Sequence, residues 1–191
     1  MLSGMRVIAG IHRGRRLYGP GKLALRPTSD RVREALFSIL GNRCDGSRFL
    51  DLYAGTGAVG IEAVSRGAQH VTSVESTRDA LKLLQQNLKL CHLGDEISVL
   101  NKTVRDFLNR SDQWNGPYDI VFADPPYAET AELLSLLAEP KTNDLFVPDS
   151  WLIIEHAKKT PLPMSLGGAQ FLRRYRYGDT ALSLYSYTVP A

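Results

Sequence analysis

From residue 48 onward, short apolar runs alternate with segments whose apolar residues recur every three or four positions. The runs "RFLDLYAG", "HVTSVE", "ISVLN", "YDIVFAD" and "WLIIEH" read as strands. Between them, "TGAVGIEAVSRG", "STRDALKLLQQNLKLCHLG", "VRDFLNR" and "AETAELLSLLA" read as helices, the second with a capping box from Ser76 to Asp79. Strands alternating with helices predict an α/β fold with a mostly parallel sheet. The nearly unbroken apolar run of "YDIVFAD" predicts helices on both faces of that sheet. The tail, "QFLRRYRYGDTALSLYSYT", reads as two strands around "GD" with no helix between them. So short a turn makes that pair antiparallel and places one reversed strand in the sheet. Ahead of the alternation, "PTSDRVREALFSILG" reads as a helix capped by Thr28, Ser29 or Asp30 and ended by Gly41, with Val32, Ala35, Leu36, Ile39 and Leu40 on one face. The opening "RVIAGIHRGRRLYGPG" alternates poorly and reads as a short hairpin or arm. Residues 1–27 are therefore expected to form an arm and 28–191 the α/β domain.

Composition narrows the class. The chain has 191 residues, 43% hydrophobic and 23% charged, enough for one ordinary soluble domain with a real core. No run reaches the apolar length of a membrane span, and the opening "MLSGMRVIAG" lacks the apolar region of a secretory signal. The two cysteines, Cys44 and Cys91, have no metal-type spacing, so a reduced, cytoplasmic protein without a metal site is expected. His12, His70, His92 and His156 show no ligand spacing either and read as structural or surface residues. The net charge of +3 is uneven: residues 1–50 hold ten Lys/Arg against three Asp/Glu, the remainder thirteen against seventeen. A basic leading segment is either a solvated arm or an edge that binds a polyanion.

Two stretches carry candidate chemistry. In "FLDLYAGTGAVGIEA" a strand turns on glycines into a helix, and ligands of open α/β sheets bind at such carboxyl ends. Gly55 and Gly57 would let a ligand approach the backbone. Glu75 ends the next strand, where its carboxylate can accept hydrogen bonds from ribose hydroxyls. Gly55, Gly57 and Gly60 also fit the dinucleotide fingerprint. Against a pyrophosphate stand the absence of a phosphate-binding lysine in the turn and the presence of Asp51 in the strand before it, which suits a positively charged group instead.

The second stretch is "VFADPPY", a buried strand stopped by an acid, two prolines and an aromatic ring. Pro125 and Pro126 lack N–H groups but keep carbonyl acceptors, Asp124 adds two carboxylate oxygens, and Tyr127 offers a flat ring. Such a site suits a planar heterocycle with an exocyclic amine: the amino hydrogens meet Asp124 and the Pro125 carbonyl while the base stacks on Tyr127, a contact worth about 1–3 kcal/mol. Withdrawing those hydrogens favours a pyramidal nitrogen with an available lone pair. Holding that nitrogen against a methyl donor can lower the barrier by about 7–11 kcal/mol.

Together, "FLDLYAGTGAVGIEA", "SVES" and "VFADPPY" resemble the class I S-adenosylmethionine-dependent methyltransferases that modify amino groups. With "RVIAGIHRGRRL", "LRPTSDRVREALF" and "YGDTALSLY", the resemblance narrows to the RsmD-like bacterial enzymes that methylate N2 of a guanine in small-subunit (16S) ribosomal RNA. The resemblance implies a Rossmann-like, seven-stranded sheet with the last strand reversed. It implies S-adenosylmethionine bound by Asp51, Tyr53, Ala54, Gly55, Gly57, Glu75 and Ser76, with the adenine met by the Val104 backbone and Thr103, and Asp106 a lesser candidate. It implies Asp124 through Tyr127 at the target amine, Asp124 also facing the donor. Phosphate contacts are expected from Arg13, Arg15 and Arg16 of the arm, and from Arg26, Thr28 and Arg31 around the start of the first helix; Arg173, Arg174 and Arg176 form a second, weaker basic cluster. The implied partner is ribosomal RNA in a small subunit or assembly intermediate, met by a monomer. Competing expectations are an adenine-N6 methyltransferase acting on DNA or RNA, a nicotinamide oxidoreductase, and a non-catalytic RNA-binding assembly factor.

Overall fold

The computed structural model describes residues 2–21 and 28–188. The chain opens on an antiparallel hairpin of β1 (Leu2–Arg6) and β2 (Arg16–Tyr18), followed by helix α1 (Asp30–Leu40). Then come β3 (Arg48–Leu52), α2 (Ala58–Ser65), β4 (His70–Glu75), α3 (Arg78–Cys91), β5 (Ile97–Asn101), α4 (Val104–Leu108), β6 (Tyr118–Ala123), α5 (Thr130–Leu137) and β7 (Phe146–Ala157). Strands β8 (Ser165–Leu166), β9 (Ala169–Tyr177) and β10 (Thr180–Tyr187) close the chain. The sheet order is β5-β4-β3-β6-β7-β10-β9-β8. Strands β3 to β7 pair in parallel, and β10 lies antiparallel between β7 and β9. Since β9 in turn opposes β10, seven strands carry a single reversal, as the final hairpin requires. The two-residue β8 adds an eighth strand at the edge, too short for a hydrophobic pattern to announce.

Both sheet faces are covered. On one, Phe49, Ile120, Phe122 and Ile153 pack with Leu36 and Phe37 of α1, Ile61 of α2 and Leu84 of α3. On the other, Leu50, Val121, Leu152 and Ile154 pack with Phe107 of α4 and Leu133 and Leu137 of α5. Each such side chain contributes about 1.5–3 kcal/mol by leaving water. Helix α1 starts where Ser29 Oγ accepts from the Val32 N–H at 3.3 Å and ends at Gly41, whose φ of 54° favours glycine. The capping box expected between Ser76 and Asp79 does not form. Glu75 takes its place, its Oε1 accepting from the Ser76 and Thr77 N–H groups at 2.9 and 2.7 Å.

The hairpin is docked. Its Met5, Val7 and Leu17 join the same core as α1 to α3. Glu62, fully buried in α2, accepts from the Ile8 and Ala9 N–H groups at 2.7 and 2.9 Å, and Arg66 Nε neutralises it at 2.7 Å. The Asn87 side chain in α3 joins β2 to the glycine turn: it accepts from Tyr18 N and donates to the Tyr18 and Thr56 carbonyls. Arg33, fully buried on α1, donates to the Arg6 carbonyl at 2.7 Å and to Asp30 at 2.8 Å. No helix among the described residues is long and apolar enough to cross a membrane.

Candidate active site

The carboxyl ends of β3 to β7 and the start of β10 surround a cavity of about 400 Å³. Its floor is the turn after β3. Tyr53 holds a φ of 65°, rare outside glycine, and Gly55 follows at 55°. The Gly55 N–H donates to Glu75 Oε2 at 2.9 Å, so three backbone N–H groups fix this carboxylate at the cavity wall. A carboxylate has about four acceptor sites, so capacity for ribose hydroxyls remains.

The cavity gathers Tyr53, Gly55, Glu75, Ser76, Thr103, Val104, Asp124, Pro125, Pro126 and Tyr127, ten of the residues marked by the sequence. It does not gather Asp51, Ala54 or Gly57. Gly57 is set by packing: a Cβ there would lie 2.9 Å from Leu84 Cγ of α3, on a backbone with φ of 76°. A side chain at Gly57 would thus meet α3, whereas one at Gly55, on the cavity wall, would have nothing nearer than 3.9 Å. Ala54 is buried beneath the turn. Asp51 is 1% exposed, behind the wall, beside the Gly60 N–H. It does not face a ligand directly as expected. Burial pushes its carboxyl up to about 8, the Gly60 hydrogen bond opposes this, and the neighbouring charges of Asp124 and Glu75 add to it.

Thr103 caps α4, its Oγ1 accepting from the Asp106 N–H at 3.0 Å and donating to Asp106 Oδ2 at 2.7 Å. Asp106 is thus turned to its own helix and is not on the cavity wall, while Val104 is.

The "DPPY" segment forms the opposite wall. Asp124 follows β6, and its Oδ2 accepts from Thr28 Oγ1 at 3.0 Å. Thr28, expected among the RNA contacts, therefore orients the acid. Tyr127 is 59% exposed at the cavity mouth, a ring that a base can reach. Tyr53 hydrogen-bonds to Glu129, and burial followed by the charges of Glu129 and Glu132 holds its phenol protonated.

Sequence reasoning missed Lys102, Glu129, Glu155, His156 and Thr180, which also line the cavity. Their signal was position: Lys102 follows β5, and Glu155 and His156 lie at the end of "WLIIEH", the carboxyl ends where ligands bind. His156 is buried, its Nε2 paired with Ser183 Oγ at 2.8 Å and its Nδ1 with the Ala157 carbonyl at 2.9 Å. Burial lowers its pKa, and Arg174 adds to this against the Ala157 bond, so the ring is neutral at pH 7. Among the described residues, the walls thus carry Glu75, Asp124, Glu129 and Glu155 against one lysine, Lys102. That field suits a cationic ligand and repels a pyrophosphate.

Outside the cavity, Arg13 and Arg16 are exposed on the hairpin and Arg31 on the first turn of α1, and no ion pair among the described residues includes them. Arg15 differs: its Nη1 donates to the Cys91 carbonyl at the end of α3 at 2.7 Å, which diverts part of its fork from any phosphate. Arg26 lies outside the described residues. In the second basic cluster, Arg174 Nε donates to Ser183 Oγ.

A parallel sheet ending in one reversed strand, with an acidic cavity at the glycine turn, is the architecture of class I methyltransferases. A Salinibacter ruber RNA methyltransferase solved with S-adenosyl-L-homocysteine has the same fold at 12% identity, with a TM-score of 0.62 over 87% of this chain and 96% of that one. The family described as Conserved hypothetical protein 95 matches residues 5–186, and the chain belongs to it. Among its relatives, the ribosomal RNA small subunit methyltransferase D of Haemophilus influenzae is 39% identical over 164 residues, 83% of this chain and 81% of that protein. The Escherichia coli K12 protein of the same name is 34% identical over 183 residues, 95% and 89% of the two chains. The solved structure of Escherichia coli yhhF superposes with a TM-score of 0.81 at 33% identity, covering 97% of this chain and 99% of that one.

Proposed function

We propose that this chain is an S-adenosylmethionine-dependent methyltransferase acting on the exocyclic N2 of a guanine in small-subunit ribosomal RNA. The observation that carries this reading is one cavity joining a pinned ribose acceptor, Glu75, to the "DPPY" acceptors under an excess of negative charge. The donor set fits: Glu75 takes the ribose hydroxyls, Gly55 and Tyr53 line the methionine portion, and Thr103 and Val104 lie where the adenine rests. When bound, S-adenosylmethionine supplies an electrophilic methyl group on a sulfonium cation. The protein's own residues do the positioning. Thr28 fixes one oxygen of Asp124; Asp124 and the Pro125 carbonyl accept the amine hydrogens; Tyr127 stacks the base. Asp124 is also the base within reach of the proton that the amine releases.

The target nucleotide must leave its stack to reach this wall, at a cost of a few kcal/mol that is least for an unpaired base. The exposed Arg13, Arg16 and Arg31 supply phosphate contacts, residues 1–27 acting as a basic arm on the methyltransferase domain. The enzyme works as a cytoplasmic monomer on ribosomal RNA in a small subunit or an assembly intermediate. The acidic cavity counts against the nicotinamide alternative.

The test is methyl transfer from labelled S-adenosylmethionine to small-subunit RNA, with nucleoside analysis of the product. N2-methylguanosine supports the reading, whereas N6-methyladenosine replaces it by the adenine alternative. Asp124→Ala should lower kcat by at least about 100-fold, the scale of losing one transition-state contact, and leave donor affinity within about threefold. Unaltered turnover removes Asp124 from the chemistry.

A further inference from the structure

The "DPPY" wall explains how an amine is gripped but not how guanine is told from adenine, since both present an exocyclic NH₂. The geometry points to Glu155 as the residue that reads guanine, by accepting its N1–H beside the amine. This rests on the methyltransferase reading above and specifies its base selection.

Strands β6 and β7 run parallel with Ala123 opposite Ile154. The next residues, Asp124 and Glu155, therefore stand side by side at the carboxyl ends of neighbouring strands, whose spacing is about 4.8 Å. Both line the same cavity, and Glu155 is 8% exposed. On guanine, N1–H and N2–H are adjacent donors on one edge. Asp124 and the Pro125 carbonyl take the amine hydrogens, and Glu155, one strand over, takes N1–H. Adenine and cytosine carry a lone pair at the ring nitrogen next to their amine. Turned to the same wall, that lone pair faces the Glu155 carboxylate, and repulsion replaces a charge-assisted hydrogen bond. A site built to hydrogen-bond a base N–H discriminates strongly against a base that lacks it. A carboxylate suits this role because it accepts at both oxygens and donates at neither.

The experiment compares RNA carrying guanine at the target position with RNA carrying 2-aminopurine there, which keeps the N2 amine but has a lone pair at N1. Wild type should favour guanine in kcat/KM by about 100-fold. Glu155→Gln offers an amide N–H of nearly the same shape, so it should lose guanine activity and gain on 2-aminopurine, shifting the ratio by 10-fold or more. Any fall in S-adenosylmethionine affinity from losing this wall carboxylate is read by calorimetry and is common to both RNAs, so it leaves their ratio unchanged. Equal turnover of the two RNAs by wild type overturns the inference without any variant. So does a Glu155→Gln enzyme that loses both activities in equal proportion, the signature of a structural role. If wild type methylates neither RNA, it is the parent methyltransferase reading that fails.

Discussion

Asp51 illustrates how a residue behind a wall can still serve the site. Its carboxyl, ordinarily at 3.8, is pushed up to about 8, chiefly by burial, so it is mostly protonated at neutral pH. An acid raised in this way contributes stability that is complete below its unfolded value and is lost as pH rises from 3.8 to about 8. A sulfonium in the cavity favours the ionised form, so donor binding releases a proton. The affinity for S-adenosylmethionine should therefore climb as pH rises and level off above about 8, relative to the affinity for the uncharged thioether S-adenosylhomocysteine. Calorimetry with both ligands from pH 6 to 9 isolates the sulfonium, because everything else they carry is shared. Asp51→Asn should make the two profiles parallel. Parallel profiles in the wild type would show that Asp51 does not sense the donor.

At the scale of elements, the docking of the hairpin on α2 depends on one small residue. A Cβ at Gly10 would lie 1.6 Å from the Ser65 carbonyl oxygen, and the φ of 80° disfavours any side chain. The Ile11 N–H donates to that same carbonyl at 2.8 Å, so the loop cannot simply move away. Gly10→Ala should destabilise the protein by about 2–3 kcal/mol, lowering Tm by several degrees. An unchanged melting temperature would mean that the arm contributes nothing to the fold. The contrast with the rest of the chain shows what a sequence can disclose. The alternation of strands and helices, the reversed final strand and the "DPPY" wall were legible because each is written in consecutive residues or a fixed period. The Glu62 bonds to Ile8 and Ala9, the Asn87 bridge from β2 to the glycine turn and the burial of Arg33 were not. Their partners lie 54, 53, 69, 31 and 27 positions apart, and a buried charge reads locally like any surface charge. Glu155 and His156 stayed hidden for a related reason: only the sheet register places them beside Asp124.

At the scale of the molecule, ten cations fall among the first fifty residues, and those among the described residues do different work. Arg33 is buried as an anchor between α1 and β1, and Arg15 in part closes the end of α3. Arg13 and Arg16 stand exposed on the hairpin, where a guanidinium can meet a phosphate. Each phosphate contact releases counterions, so the slope of log affinity against log salt reports how many contacts form, at about 0.7 per contact for single-stranded and 0.9 for duplex nucleic acid. Arg13→Gln with Arg16→Gln should flatten that slope by roughly 1.4–1.8 and weaken binding nearly alike for all RNA sequences. Arg15→Gln should act differently, lowering Tm through the lost bond to the Cys91 carbonyl while changing the slope by less than either exposed arginine. Filter binding across a salt series, with thermal melts on the same variants, separates the two roles. An unaltered slope in the double variant would return the arm to a solvated surface and require the RNA to be held elsewhere, with Arg31 and the cations of β9 the next to neutralise.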